Sequence, residues 1–184
     1  MASVTSPSAH LGTPAPDFAL LGTDGRKHSL ADCRGANGLL VMFICNHCPY
    51  VKAIREPLVV TCRELESYGI GSVAISANDP ADFPEDGFET MQAYAKAYRF
   101  GFPYLFDESQ DVAKAYGAVC TPEFFGYDAE LRLRYRGRFD ASGRHAVPEA
   151  ERELFEAMKM IAMLGEGPPE QRSAIGCSIK WRRD

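Results

Sequence analysis

Apolar positions along the chain follow two rhythms. Gly38-Leu39-Leu40-Val41-Met42-Phe43-Ile44 is an unbroken apolar run that ends at Cys45. Such a run fits a strand covered on both faces, as in a parallel sheet between layers of helix. Directly after it, Val51, Ile54, Leu58, Cys62 and Leu65 keep a three-to-four spacing, which predicts a helix that Gly69 can end. Pro57 falls inside that stretch and is expected to kink or break it, because proline lacks the amide and crowds the preceding turn. Ser72 to Ser76 predicts the next strand, and Asn78 to Gly87 ("NDPADFPEDG") reads as a loop from its Pro, Asp and Gly content. Phe88, Met91, Ala95 and Tyr98 predict a helix.

Pro103 to Phe106 reads as extended, and Asp111 to Tyr116 as a short helix closed by Gly117. Phe124 to Tyr127 and Leu131 to Arg136 predict two strands turning at Asp128-Ala129-Glu130. Leu154, Met158, Ile161 and Leu164 form one face of a last helix ended by Gly165. Near the start, Phe18 to Leu21 and Lys27 to Leu30 suggest a hairpin around Asp24-Gly25. The order, hairpin then β-α-β-α-(β)-α-β-β-α, predicts an α/β fold with a central mixed sheet flanked by helices. We expect a poorly ordered segment over 1–14, one domain over 15–165, and a tail over 166–184. Within the tail, Ser173 to Trp181 is unusually apolar and carries the only tryptophan, so it should pack on the domain.

Composition narrows the class. The 184 residues are 46% hydrophobic and 24% charged, as in an ordinary globular domain, and a net charge of −5 weighs against nucleic-acid or anionic-membrane partners. No apolar run has the roughly 18 residues of a membrane span, and no secretory pattern opens the chain, so a cytoplasmic location is expected. The six cysteines, at 33, 45, 48, 62, 120 and 177, are too scattered for a disulfide framework.

The chemistry concentrates in Cys45-Asn46-His47-Cys48-Pro49. Proline is harmless in a first helical turn, so the helix should begin just before Pro49, with Cys45 near its N-cap and Cys48 about a turn inside. The positive helix end and a protonated His47 would both lower the pKa of Cys45, making it a thiolate and Cys48 its resolving partner. A strand-to-helix CxxC of this kind suits dithiol redox chemistry.

"APDFAL", "LLVMFICNHCPYVK", "SANDP", "YGAVCTPEFFGYDAE", "YRGRFD" and the "GCSIKW" tail together resemble the peroxiredoxin-related (AhpC/TSA-type) branch of the thioredoxin-like superfamily. That resemblance implies a thioredoxin-like fold with an N-terminal hairpin extension, and no cofactor. It makes Cys45 the attacking thiol, Cys48 its partner, and Thr121-Pro122 a substrate loop opposite them, with Pro122 cis. Its implied partners are thiol or disulfide substrates, protein or small molecule, and a thiol reductant. The chain departs from the pattern where Met42 replaces the threonine of peroxide-cleaving relatives, where Ala118 to Asp128 lacks an arginine, and where Leu39 replaces the buried aspartate of thioredoxins. Glu123, Lys52 or water is then left as proton acceptor for Cys48.

Two further thiols bear on the site. Cys120, two residues before Pro122, either borders the pair or is a packing thiol; Cys177 is either a second resolving thiol or part of an apolar clasp. Cys62, on the apolar face of its helix, reads as core, and Cys33 has no companion motif. Arg136, Arg138 and Arg144 are candidates for a polar rim or simply surface residues. The reading is therefore a thiol–disulfide oxidoreductase, with three alternatives: a thiol peroxidase whose peroxidatic residue is Cys45, a Cu/Zn-binding protein using Cys45, His47, Cys48 and His145, and a non-enzymatic interaction module on the same scaffold.

Overall fold

The computed structural model describes residues 3–183. Seven strands form one mixed sheet: β2 (Ala19–Gly22), β3 (Lys27–Ser29), β4 (Gly38–Phe43), β5 (Ile70–Ser76), β6 (Tyr104–Phe106), β8 (Glu123–Tyr127) and β9 (Leu133–Gly137), in the order β3-β2-β6-β5-β4-β8-β9. Three more make a small second sheet, β1 (Ser3–Thr5), β10 (Ile175–Ser178) and β7 (Cys120–Thr121), in the order β1-β10-β7. The helices are α1 (Leu30–Cys33), α2 (Pro49–Glu66), α3 (Phe88–Ala97), α4 (Asp111–Tyr116) and α5 (Glu153–Leu164).

β4 lies at the centre, parallel to β5 on one side and antiparallel to β8 on the other, and every one of its residues is buried. Its side chains alternate between two cores, as a strand's must. Leu40 and Met42, with Ile44 just beyond the strand, pack with α2, α5 and Met91 of α3, whereas Leu39, Val41 and Phe43 pack with α1 and α4. Gly38 starts the strand at φ 148°, and a Cβ there would meet the Tyr127 carbonyl oxygen at 2.3 Å, so this position tolerates only glycine. The hairpin, the parallel β4-α2-β5 crossover and the closing β8–β9 pair stand where the hydrophobic pattern placed them.

Three expectations need correction. α2 runs as one helix through Pro57. Pro57 is on the exposed face, so the carbonyl it leaves unbonded can be hydrated, while Val51, Ile54, Leu58, Cys62 and Leu65 stay buried. α1 was absent from the predicted elements; it is held by a capping box between Ser29 and Asp32, too short for periodicity to reveal. The segment expected to be poorly ordered carries structure from Ser3 onward, since β1 pairs with β10 and Pro14 bridges to Arg132; Met1 and Ala2 lie outside the described residues. The tail lies against the domain, with Ala174, Cys177 and Ile179 buried, although Ile175 and Trp181 remain exposed. Among the described residues, no helix is long and apolar enough to cross a membrane.

Candidate active site

β4 ends at Phe43, and residues 44–48 carry the chain over the top of the sheet into α2. This loop is wound around one carboxylate. Asp86 Oδ1 accepts the backbone N–H groups of Asn46 (2.8 Å) and His47 (3.2 Å), and Oδ2 accepts from His47 Nδ1 (2.5 Å) and Asn78 Nδ2 (2.8 Å). The Asn46 side chain donates to the Glu85 carbonyl (2.7 Å) and accepts from the Tyr104 hydroxyl (3.1 Å). Asp86 closes a 3₁₀ turn, Pro84–Asp86, and is fully buried. Burial alone would favour its neutral form, but the His47 and Asn78 donors outweigh it and hold the carboxyl below its ordinary value.

The sequence had offered this turn only as part of a loop. Asp86 lies some forty residues from the cysteines, and an Asp before Gly reads as turn chemistry, so nothing local announced its role. Phe83 belongs with it, stacking on the His47 ring with centroids 4.3 Å apart.

The helix begins later than expected. Cys48 itself is the N-cap, with Pro49 in the first turn, and Cys45 lies outside the helix. Both cysteines are completely buried. Cys45 Sγ is 3.3 Å from the Thr121 hydroxyl and 3.8 Å from His47 Nδ1. Cys48 Sγ is 3.1 Å from the Thr121 carbonyl oxygen, to which its thiol donates when protonated. The Thr121–Pro122 bond is cis, as the resemblance implied, so one backbone turn brings both polar groups of Thr121 to the two sulfurs.

The electrostatics place the lower pKa on the other sulfur of the pair from the one expected. The Cys45 thiol favours a negative Cys48, and with the Val51 amide, the Cys177 thiol and Thr121 it outweighs burial, drawing Cys48 down to about 5. Cys45 is pushed well above the ordinary thiol value by burial, by the proton it lends Cys48 and by the nearby Asp86 charge. Lowering of the Cys45 pKa is therefore corrected: the positive helix end acts on the N-cap sulfur, and His47 directs its Nδ1 proton to Asp86. His47 Nε2 is buried without a hydrogen-bond partner.

The remaining candidates divide. Cys177 is buried at the same site, held opposite Thr121 across the β10–β7 ladder, and its pKa is raised to about 12 by burial and by Cys48. Cys120 is buried in β7, and its thiol lies 3.9 Å from the Pro122 carbonyl and from Glu123 Oε2. Glu123 is not a proton acceptor for the pair, and neither does it face solvent. It is buried, bonded through Oε1 to Arg136 Nε (2.8 Å) and through Oε2 to the Val119 amide (2.8 Å). Arg136 is thereby removed from any rim, and Lys52 projects from the exposed face of α2. Arg138 pairs with Glu153 but also lines a cavity of about 270 Å³ with Tyr50, Ile54, Pro122, Phe139 and Ile175, beside the cis-proline. Arg144 lies over the Tyr50 ring, 5.6 Å from its centroid.

Cys45, His47 and Asp86 place one sulfur, nitrogen and oxygen ligand within 4.8 Å of one another. A metal bound through His47 Nδ1 would have to break the His47–Asp86 hydrogen bond at a carboxylate that three other donors already occupy, and the arrangement does not fit an ion well. His145 is on an exposed loop and His28 is bonded to Asp24, so neither joins that set.

Gly176 is where the tail meets the site. A Cβ on it would lie 2.1 Å from the Thr121 carbonyl oxygen, so only glycine lets β10 reach β7. Gly176→Ala should force the strands apart and cost about 1–3 kcal/mol, read as a lowered denaturant midpoint with unchanged slope.

A solved structure of an uncharacterized conserved protein from Geobacillus kaustophilus is 40% identical, covers 100% of this chain and 98% of its own, and superposes with a TM-score of 0.94. The thiol-disulfide oxidoreductase ResA of Geobacillus thermodenitrificans is 27% identical over 131 residues, 67% of each chain. A thiol:disulfide interchange protein of the thioredoxin family from Chlorobium tepidum shares the fold, with a TM-score of 0.61 at 21% identity over 85% of this chain and 99% of its own. Residues 11–136, which include the hairpin, both cysteines of the pair, the cis-proline and β8, match the AhpC/TSA family. With the sheet, the crossover helix and the proline loop arranged as described, the chain belongs to the AhpC/TSA family.

Proposed function

We propose that the protein is a thiol–disulfide oxidoreductase in which Cys45 and Cys48 are the exchanging pair and Cys48 enters as the thiolate. One observation carries this reading: the two sulfurs meet the same cis-proline loop, Cys45 Sγ lying 3.3 Å from the Thr121 hydroxyl and Cys48 Sγ, at the helix N-cap, 3.1 Å from the Thr121 carbonyl, in surroundings that favour charge on Cys48. The similarity to ResA supports the reaction class.

Cys48 attacks one sulfur of the substrate disulfide, and the other departs with the electron pair. Cys45 gives up its proton towards that leaving group, and its thiolate then attacks Cys48 Sγ. The Thr121 hydroxyl, 3.3 Å from Cys45 Sγ, can donate to that transient charge. The second substrate thiolate leaves and takes a proton from water. The substrate ends as two thiols and the enzyme as the Cys45–Cys48 disulfide, which a thiol reductant resets. The cavity of about 270 Å³ beside Pro122 combines apolar side chains such as Ile54, Phe139 and Ile175 with the polar groups of Tyr50, Arg138 and Ser142, and suits an aliphatic disulfide or a peptide side chain.

Titration of thiolate ultraviolet absorbance, wild type against Cys48→Ser, tests the assignment. A component with a midpoint near pH 5 should be present in the wild type and missing in the variant. A midpoint at the value of free cysteine, about 8.5, would remove the basis of the reading. Membership of the AhpC/TSA family favours a second reading, a thiol peroxidase. There the same Cys48 thiolate would attack a hydroperoxide and become a sulfenic acid that Cys45 condenses with. Reductant-dependent peroxide consumption, faster than disulfide reduction and lost in Cys48→Ser, would select it.

A further inference from the structure

Three sulfurs meet at this site. Cys177 is one rung of the β10–β7 ladder, opposite Thr121, whose hydroxyl touches Cys45 and whose carbonyl touches Cys48. Pairing extends beyond the strand through the Ile179 amide to the Val119 carbonyl (3.1 Å), and Gly176 lets the two backbones close. The buried thiols of Cys45, Cys48 and Cys177 share one apolar cluster. β7 is a two-residue strand ending at the cis-proline, the kind of short edge to which an extended segment adds by backbone pairing. The chain supplies that segment itself, with a cysteine at the rung that faces the reactive pair.

We propose that Cys177 is a third exchanging thiol and that a Cys48–Cys177 disulfide, fastening β10 across the proline edge, is an oxidised state of the protein. The inference rests on the dithiol reading above. Starting from the Cys45–Cys48 disulfide, the Cys177 thiolate attacks Cys48 Sγ. The Cys48–Cys177 bond forms, the Cys45–Cys48 bond breaks, and the electron pair leaves on Cys45, which takes up the proton Cys177 released. No electrons enter or leave, so the step needs no oxidant beyond the substrate disulfide already consumed. The same step becomes easier once Cys48 is oxidised: its negative charge, one of the influences holding the Cys177 proton, is gone, while Lys180 and Arg144 still favour the Cys177 thiolate. In the fastened state the edge is closed to any extended substrate until a reductant opens it.

The test is graded oxidation of the full chain with oxidised glutathione, alkylation of remaining thiols, and peptide mapping without reduction. The expected course is an early Cys45–Cys48 link that declines as Cys48–Cys177 rises, with Cys45 becoming alkylated. In Cys45→Ser, Cys48 should still lose its glutathione adduct, through the Cys177 link. Cys45–Cys48 as the sole link at every degree of oxidation, together with a persistent glutathione adduct in Cys45→Ser, would overturn the proposal and leave the dithiol reading intact. Absence of any disulfide among the three cysteines would overturn both. Wild-type mapping decides even if the variant does not fold.

Discussion

Cys48→Ser should abolish disulfide reduction, lowering turnover of a small aliphatic disulfide by about 10³-fold or more, as loss of a nucleophile does. The effect is expected to be this large because the surrounding groups converge on a single sulfur: the Cys45 and Cys177 thiols and the Val51 amide all favour charge on Cys48, and serine cannot carry it near pH 7. Replacing the other two thiols separates attack from resolution. The double variant Cys45→Ser/Cys177→Ser retains the nucleophile but has no thiol to expel the substrate, so it should stop after one event with substrate bound to Cys48. Mass measurement of the intact protein reads the adduct directly. If the adduct forms on Cys45 in Cys48→Ser and never on Cys48, the roles are those first expected from the motif, and the reading of the helix terminus is wrong.

Asp86→Ala should be the most damaging substitution for stability, costing about 3–5 kcal/mol, the scale seen when one partner of a buried charged network is removed. Two backbone amides, His47 Nδ1 and Asn78 Nδ2 would lose their common acceptor in a space that water does not reach. Denaturant unfolding of wild type and variant measures it. The pH dependence has a fixed sign. The folded state holds this carboxyl below its ordinary pKa, so its contribution is complete above about pH 4 and disappears as pH falls through the lowered folded value. The variant should lack that acid-side loss. An Asp86→Ala protein as stable as wild type at pH 7 would mean the loop is shaped by α2 and β5 without its help.

How much of this could be read from residues alone depended on range. β4, α2, the hairpin and α5 were legible because burial imposes a period on neighbouring residues, and that period survives in sequence. The CxxC was legible for a similarly local reason, since Pro49 marks where the helix can start, whereas the Thr121–Pro122 loop was legible only through the family resemblance. The Asp86 carboxylate was not, because its four partners come from segments joined only by folding. Glu123 shows a related limit: its alternation in β8 is compatible with facing water, and its burial depends on the Arg136 ion pair and the Val119 amide, partners that the sequence does not announce. The placement of charge between Cys45 and Cys48 turned on a shift of three residues in where α2 begins, finer than hydrophobic spacing can define.

Because β10 is the middle strand of its sheet, β1 and β10, far apart in sequence, share one ladder beside the reactive loop. A tag, fluorophore or surface attachment placed beside β1 or β10 therefore acts on the same three-stranded patch. Experimental handles on this protein are safer outside that patch, at exposed turns such as that around Gly25.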